Sequence, residues 1–300
     1  MTLWIPFTLA AAAFQTLRFM LQKYLSMGKL SAAGATFARF VYSAPLIALG
    51  LGLYLRATGQ ALPEMGPRFF AFATIGGLAQ ILATICVVLL FQSRNFAVGI
   101  TFKKTEVILS VLVGLAVLGE GVSAEGLAAI LLGVAGVLLL SKTPGVAGGF
   151  ARHLFSRAVA LGLGSGVLFA ISAVAYRGAT LELAAEDPIL RASVTLCVVV
   201  FWQTAIMALW LGLRDPGQIA AVWRTRKVAL WVGLTSMGGS LCWFVAFALQ
   251  TAAYVKALGQ VELILSLLAS VFFFRETITR REIAGMGLLV LSILGLVLVI

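Results

Sequence analysis

Charge is what this sequence has least of. Only 11% of its 300 residues are Asp, Glu, Lys or Arg, one residue is histidine (His153), and 61% are hydrophobic. Water-soluble domains do not have that balance. The apolar residues come in stretches of about 18 to 25, repeated from end to end with short polar breaks, and helices apolar all round at that length cross bilayers. The chain therefore reads as an all-α polytopic membrane protein. Cysteine is scarce too. Cys86, Cys197 and Cys242 each fall inside an apolar stretch, where they act as small hydrophobes rather than as a disulfide or zinc set. There is no HExxH motif, and no Ser/His constellation within the apolar stretches. No enzyme activity, metal or cofactor is expected on that basis.

Acidic residues are half as numerous as basic ones, 11 against 22, for a net charge of +11. In a soluble protein that excess suggests nucleic acid. Here the basic residues gather at the ends of apolar stretches and in short loops, the pattern of cytoplasmic anchoring, so the expected partner is the lipid bilayer and not a nucleic acid. The first residues, MTLWIPFTLAAAAF, lack the basic start of a signal peptide and run on into a full-length span, which reads as a retained first helix.

Hydropathy over a window of about 19 residues places ten transmembrane helices near 4–25, 31–55, 69–91, 96–118, 124–141, 157–177, 189–213, 228–249, 254–274 and 282–300. Turn-forming segments separate them, among them ATGQALPEMGPR, KTPGVAGG, AEDP and RDPG. The longest break divides the chain into a first five-helix repeat, 1–141, a connecting loop, 142–156, and a second repeat, 157–300. A shift of 156 residues lays EVILS (106–110) over ELILS (262–266), Cys86 over Cys242, Phe91 over Phe247 and Glu120 over Glu276. An odd number of spans per repeat inverts one repeat relative to the other, and inverted repeats place a binding site near the bilayer midplane, between the halves. Lys and Arg crowd the loops after odd-numbered helices, which favours both termini outside.

Polar residues inside the spans stand out against this background. Lys103, Lys104 and Glu106 sit in the fourth; Lys103 and Glu106 share a helical face, while Lys104 points elsewhere. The ninth carries Lys256, Gln260 and Glu262, and the first carries Gln15, Arg18 and Gln22 on one stripe. Gln80 and Thr84 lie in the third span, Ser165, Ser172 and Tyr176 in the sixth, and Ser240 and Trp243 in the eighth. A charge at mid-bilayer costs about 2.5–3.5 kcal/mol, so such groups are expected to face a polar cavity between the halves. Each also has a structural reading. Lys103 and Lys104 can snorkel to the interface, Glu106 and Glu262 can form ion pairs that fix helix packing, and the hydroxyls can bond between helices.

Two segments carry a family resemblance. LGEGVSAEGLAAILLGVAGVLLL (118–140) and FRETITRREIAGMGLLVLSILGLVLVI (274–300) share a helix ending in Glu, a short Ser or Thr turn, and a glycine-spaced final helix. This resembles the closing segment of each repeat in the EamA branch of the drug/metabolite transporter superfamily, and within it the amino-acid exporters of bacterial inner membranes. The resemblance implies a ten-helix basket with a central cavity, alternating access, a small-molecule substrate, and cytoplasmic termini, against the charge count. No site residue follows from the matched segments. The polar census alone nominates Gln15, Arg18, Gln80, Lys104, Glu106, Tyr176, Trp243, Lys256, Gln260 and Glu262 as substrate-binding. In that scheme a substrate carboxylate meets Arg18, Lys104 or Lys256 and its ammonium meets Glu106 or Glu262. Proton coupling through a glutamate and facilitated diffusion are both compatible. Efflux of cationic drugs is the alternative, disfavoured by the bases beside the acids.

Overall fold

Prolines, glycines and short polar side chains start and stop the helices. The computed structural model describes residues 3–27, 30–92, 102–140, 157–265 and 279–299. The Ser31 hydroxyl accepts from Gly34 N–H at the start of one helix, and Gly59, at φ 67°, ends it. Asp187 accepts from Ile189 N–H at the start of another, followed by Pro188 in the first turn. These satisfy helix-end groups that have no partner within the helix.

Eleven helices are described: α1 (Trp4–Ser26), α2 (Ala32–Thr58), α3 (Pro67–Phe91), α4 (Glu106–Leu118), α5 (Ala124–Leu140), α6 (Arg157–Leu181), α7 (Pro188–Arg214), α8 (Pro216–Arg224), α9 (Arg226–Leu249), α10 (Ala252–Leu258) and α11 (Arg280–Val299). The described residues contain no strand. Six helices, α2, α3, α6, α7, α9 and α11, are long and apolar enough to cross a membrane. The helix α1, diluted by Gln15, Arg18 and Gln22, is not among them, and α4 and α5 are shorter apolar helices. Outward faces are as apolar as inward ones: Leu49, Leu53, Leu82, Leu209 and Leu213 are all exposed. That is the surface of a polytopic membrane protein, whose helices associate by close packing and hydrogen bonds rather than by escape from water.

Two departures from the expected spans bear on the site. The fourth and ninth spans are each interrupted at the charged segment. Lys104 and Thr105 form a turn before α4, and Gly259 and Gln260 form a turn after α10, before helical backbone resumes at Val261. Tight i→i+3 bonds mark both places, from Thr105 N–H to Phe102 O at 3.2 Å and from Gln260 N–H to Ala257 O at 3.2 Å. Close neighbours hold the interruptions. The Lys103–Thr105 backbone packs on Gly166, where a Cβ would come within 3.0 Å of Lys103 O, and the Trp243 ring lies over Gly259. The second departure is α8, a nine-residue amphipathic helix in the stretch read as a loop. Gln218 on α8 accepts from Ser31 N–H at 2.8 Å and so ties it to the start of α2. The connecting loop 142–156 with His153, the parts of the fourth and ninth spans at 96–101 and 266–274, and Glu276 lie outside the described residues.

Packing follows a pattern. The helix α3 lies along α6 and α1 along α9; α2 packs on α9 and α3 on α7; α2 also packs on α7, α4 on α10 and α5 on α11. Moved by 156 residues, α1 falls on α6, α2 on α7, α3 on α9 and α5 on α11, so every one of these pairings except α4 with α10 falls on another of the set or on itself. The α5–α11 contact brings backbone against backbone. A Cβ on Gly136 would come within 2.8 Å of Gly285 O, and Ser292 Oγ donates to Ala129 O at 2.7 Å.

Candidate functional site

Between α1, α2, α3, α6, α9 and α10 lies a narrow cavity of about 30 Å³. Its wall includes Gln15, Arg18, Arg39, Gln80, Phe169, Ser172, Tyr176, Ser240, Trp243 and Lys256. Six of the nominated residues therefore face it, while Lys104, Glu106, Gln260 and Glu262 stand behind the wall on the interrupted helices.

Each wall residue is placed by its helix. Arg18 is buried on the inner stripe of α1; its Nη1 donates to Gln22 Oε1, one turn on, at 2.9 Å, and its guanidinium lies 4.4 Å from the centre of the Phe19 ring. Gln22 in turn donates to Ala35 O of α2. Tyr176 on α6 donates from Oη to Gln80 Oε1 at 3.0 Å, and Gln203 Nε2 on α7 donates to the same oxygen at 3.0 Å and to Gly77 O. A Cβ at Gly76 would meet the Tyr176 ring at 2.8 Å, so a small residue there lets α3 and α6 approach. Tyr176 packs on Phe244 with ring centroids 4.4 Å apart.

The largest residue missed in the sequence is Arg39. It lies eight positions into the second apolar span, where a charge is as conspicuous as at Arg18. Arg39 is buried and bridges three helices: Nε donates to Ser236 Oγ at 2.8 Å, Nη1 to Thr84 Oγ1 at 3.1 Å and Nη2 to Ser240 Oγ at 3.3 Å. Gln203, also missed, anchors Gln80 and Tyr176 from behind.

Behind the wall, charges pair. Lys103 Nζ is 3.5 Å from Glu106 Oε1, the expected i, i+3 contact. Lys104 reaches across to Glu262, which also accepts from Gln15 Nε2. All four of these charged residues are buried, so the lysines are not snorkelling to an interface. Ser110 donates to its own helix at Glu106 O. Glu106 Oε2 and Gln260 Oε1 are buried with no hydrogen-bond partner, as is the Trp243 indole N–H. Lys256 lies against aromatic faces: its Nζ is 4.9 Å from the Trp243 ring centroid and 5.6 Å from that of Phe169.

One end of the bundle is tied shut beside this cavity. Arg177, near the end of α6, binds both oxygens of Glu120 in the α4–α5 connection, with Nη2 to Oε1 at 2.7 Å, and donates from Nη1 to Phe247 O at 2.6 Å. Ser123 N–H donates to Tyr254 Oη at 3.1 Å at the same end. Further out, Asp187 accepts from Tyr54 Oη and Gln60 Nε2. Partial burial works against its charge, but the bonds from Tyr54 and Ile189 N–H prevail and hold its carboxyl below the ordinary range.

Buried charges around a cavity within a bundle of membrane-spanning helices are the arrangement in which substrate and ion pathways are built. Residues 156–298, the second half of the chain, match the model of the EamA-like transporter family. The match covers 143 of the 300 residues and so likens the second half of the chain to that family. A solved structure titled "Crystal structure of protein" superposes with TM-score 0.72 over 98% of this chain and 96% of its own, at 16% identity, which shows a shared fold. No curated protein sequence matches the chain.

Proposed function

We propose that the protein is a secondary transporter that exports amino acids or related small metabolites across the bacterial inner membrane by alternating access. The observation that carries this reading is the cavity: Arg18, Arg39 and Lys256 are buried at its wall between helices of both halves of the chain. Two inverted repeats, 1–141 and 157–300 joined by 142–156, are supported by packing partners that exchange under a 156-residue shift and by interruptions at related places, Lys104–Thr105 and Gly259–Gln260. Broken helices at a midplane site are how such repeats present backbone groups and charges to a substrate. Arg177 and Glu120 would close one end while the other is open.

The resemblance to bacterial amino-acid exporters, such as the aromatic amino-acid exporter YddG, favours amino acids, and the Phe169, Trp243 and Phe244 rings suit an apolar side chain. Cationic drug efflux is disfavoured because both buried glutamates around the cavity are already joined to lysines. Uptake of radiolabelled amino acids into proteoliposomes tests the reading. Flux is expected to fall in Glu262→Gln and Glu106→Gln proteins, and flux unchanged by both substitutions removes these carboxylates from the mechanism.

A further inference from the structure

The charges around the cavity do not balance. Among the described residues around the cavity, five buried cations, Arg18, Arg39, Lys103, Lys104 and Lys256, accompany two buried carboxylates, Glu106 and Glu262; the third buried carboxylate, Glu282, caps α11 and accepts from Thr279. Both carboxylates around the cavity are engaged, Glu106 with Lys103 and Glu262 with Lys104 and Gln15. Three positive charges are left over, and all three belong to residues that line the cavity.

Their direct contacts are with neutral groups, while Glu106 acts on Lys256 and Glu262 on Arg18 only at longer range, as charges already joined to lysines. Arg39 donates to three hydroxyls, Arg18 to an amide oxygen, and Lys256 lies against the faces of Trp243 and Phe169. Hydroxyls, amides and rings solvate a cation but do not neutralise it, and buried charge without a counter-charge is costly. Spare donors remain. A guanidinium has five N–H groups, of which Arg18 and Arg39 use only some, and the Trp243 indole N–H beside Lys256 is buried and unpartnered. Among the described residues, no carboxylate lines the wall.

We infer that the substrate is a small organic dianion, a dicarboxylate with an apolar body, whose carboxylates supply the counter-charge for Arg18, Arg39 and Lys256. This rests on the transporter part of that reading and takes its substrate from the related small metabolites rather than the amino acids, because a zwitterionic amino acid leaves the excess charge where it was. Guanidinium forks match carboxylates in two-point contact, and Phe169 and Trp243 flank Lys256 where an apolar body would pass.

Thermal unfolding of the purified full-length protein in detergent tests this with four probes: phthalate and succinate as dianions, phenylalanine as a zwitterion and phenethylamine as a cation. Phthalate or succinate is expected to raise Tm saturably, with half-saturation weakened about tenfold or more in Lys256→Gln and Arg39→Gln proteins and largely restored in Lys256→Arg. Lys227→Gln, which removes an exposed cation at the start of α9, is expected to leave the half-saturation within about twofold. Where a glutamine variant fails to fold, the arginine replacement and the probe series on the unsubstituted protein still decide. The inference is overturned if phenylalanine or phenethylamine stabilises and the dianions do not, if no probe stabilises, or if dianion binding is undiminished in the folded glutamine variants. Proteoliposome flux of phenylalanine without any response to dianions would sink this inference and leave the transporter reading standing.

Discussion

Thr84 and Ser240, on α3 and α9 and 156 residues apart, accept hydrogen bonds from the same side chain, the Arg39 guanidinium. These positions correspond under the shift that relates the two halves of the sequence, so one arginine joins equivalent points of both. A lysine keeps the charge but has no planar fork to reach three hydroxyls. Arg39→Lys is therefore expected to lower the unfolding temperature in detergent by more than Ser236→Ala, whose loss corresponds to about 0.6–1.7 kcal/mol for one hydrogen bond between membrane helices.

Lys104 and Glu262 form a second long-range link. Removing one partner strands a buried charge, at a cost of about 3–5 kcal/mol, whereas removing both does not. Lys104→Met is expected to destabilise strongly, and Lys104→Met combined with Glu262→Met to recover most of that loss, as read by a double-mutant cycle of unfolding in detergent.

Arg177, Glu120 and the Phe247 carbonyl tie one end of the bundle beside the cavity. Glu120→Gln weakens the tie. A cysteine at Ser172 in a background without Cys86, Cys197 and Cys242 is expected to react faster with a membrane-impermeant maleimide in that variant, by about tenfold for each 1.4 kcal/mol of closing energy removed.

Asp187 at the start of α7 gives an acid dependence. Its carboxyl is held below the ordinary value, so its contribution to stability is present above the unfolded value of about 3.9 and fades as pH falls through the lower folded value. Thermal scans from pH 6 down are expected to show a decline below about pH 4 that is shallower in Asp187→Asn, with the two proteins differing most near neutrality.

Gly136 faces Gly285 across the α5–α11 contact. Gly136→Val drives a branched side chain into backbone and is expected to cost about 1–3 kcal/mol, while Gly287→Ala, which meets open space, leaves the unfolding temperature unchanged.

Long apolar runs made the helices readable, since length and hydropathy alone mark a span. Nine residues of α8 escaped because a window set for spans averages a short amphipathic helix into its polar surroundings. The interruption at Lys104–Thr105 carries no proline or glycine to announce it; only its counterpart at Gly259–Gln260 does. Arg39 was visible by the same criterion that singled out Arg18. The link from Lys104 to Glu262 was not, because helical spacing relates neighbours along one helix and is silent about partners 158 residues away. Periodicity could not say which polar groups would be spent on one another and which left facing space.

The glycine contact between α5 and α11 has a mechanical consequence. Backbones in contact at Gly136 and Gly285, pinned by the bond from Ser292 to Ala129, couple the two rods into one strut, and among the described residues that strut meets the rest of the bundle chiefly through α4 and α10. Any rocking at the interrupted helices is therefore levered outward to the periphery, where lipid would feel the stroke.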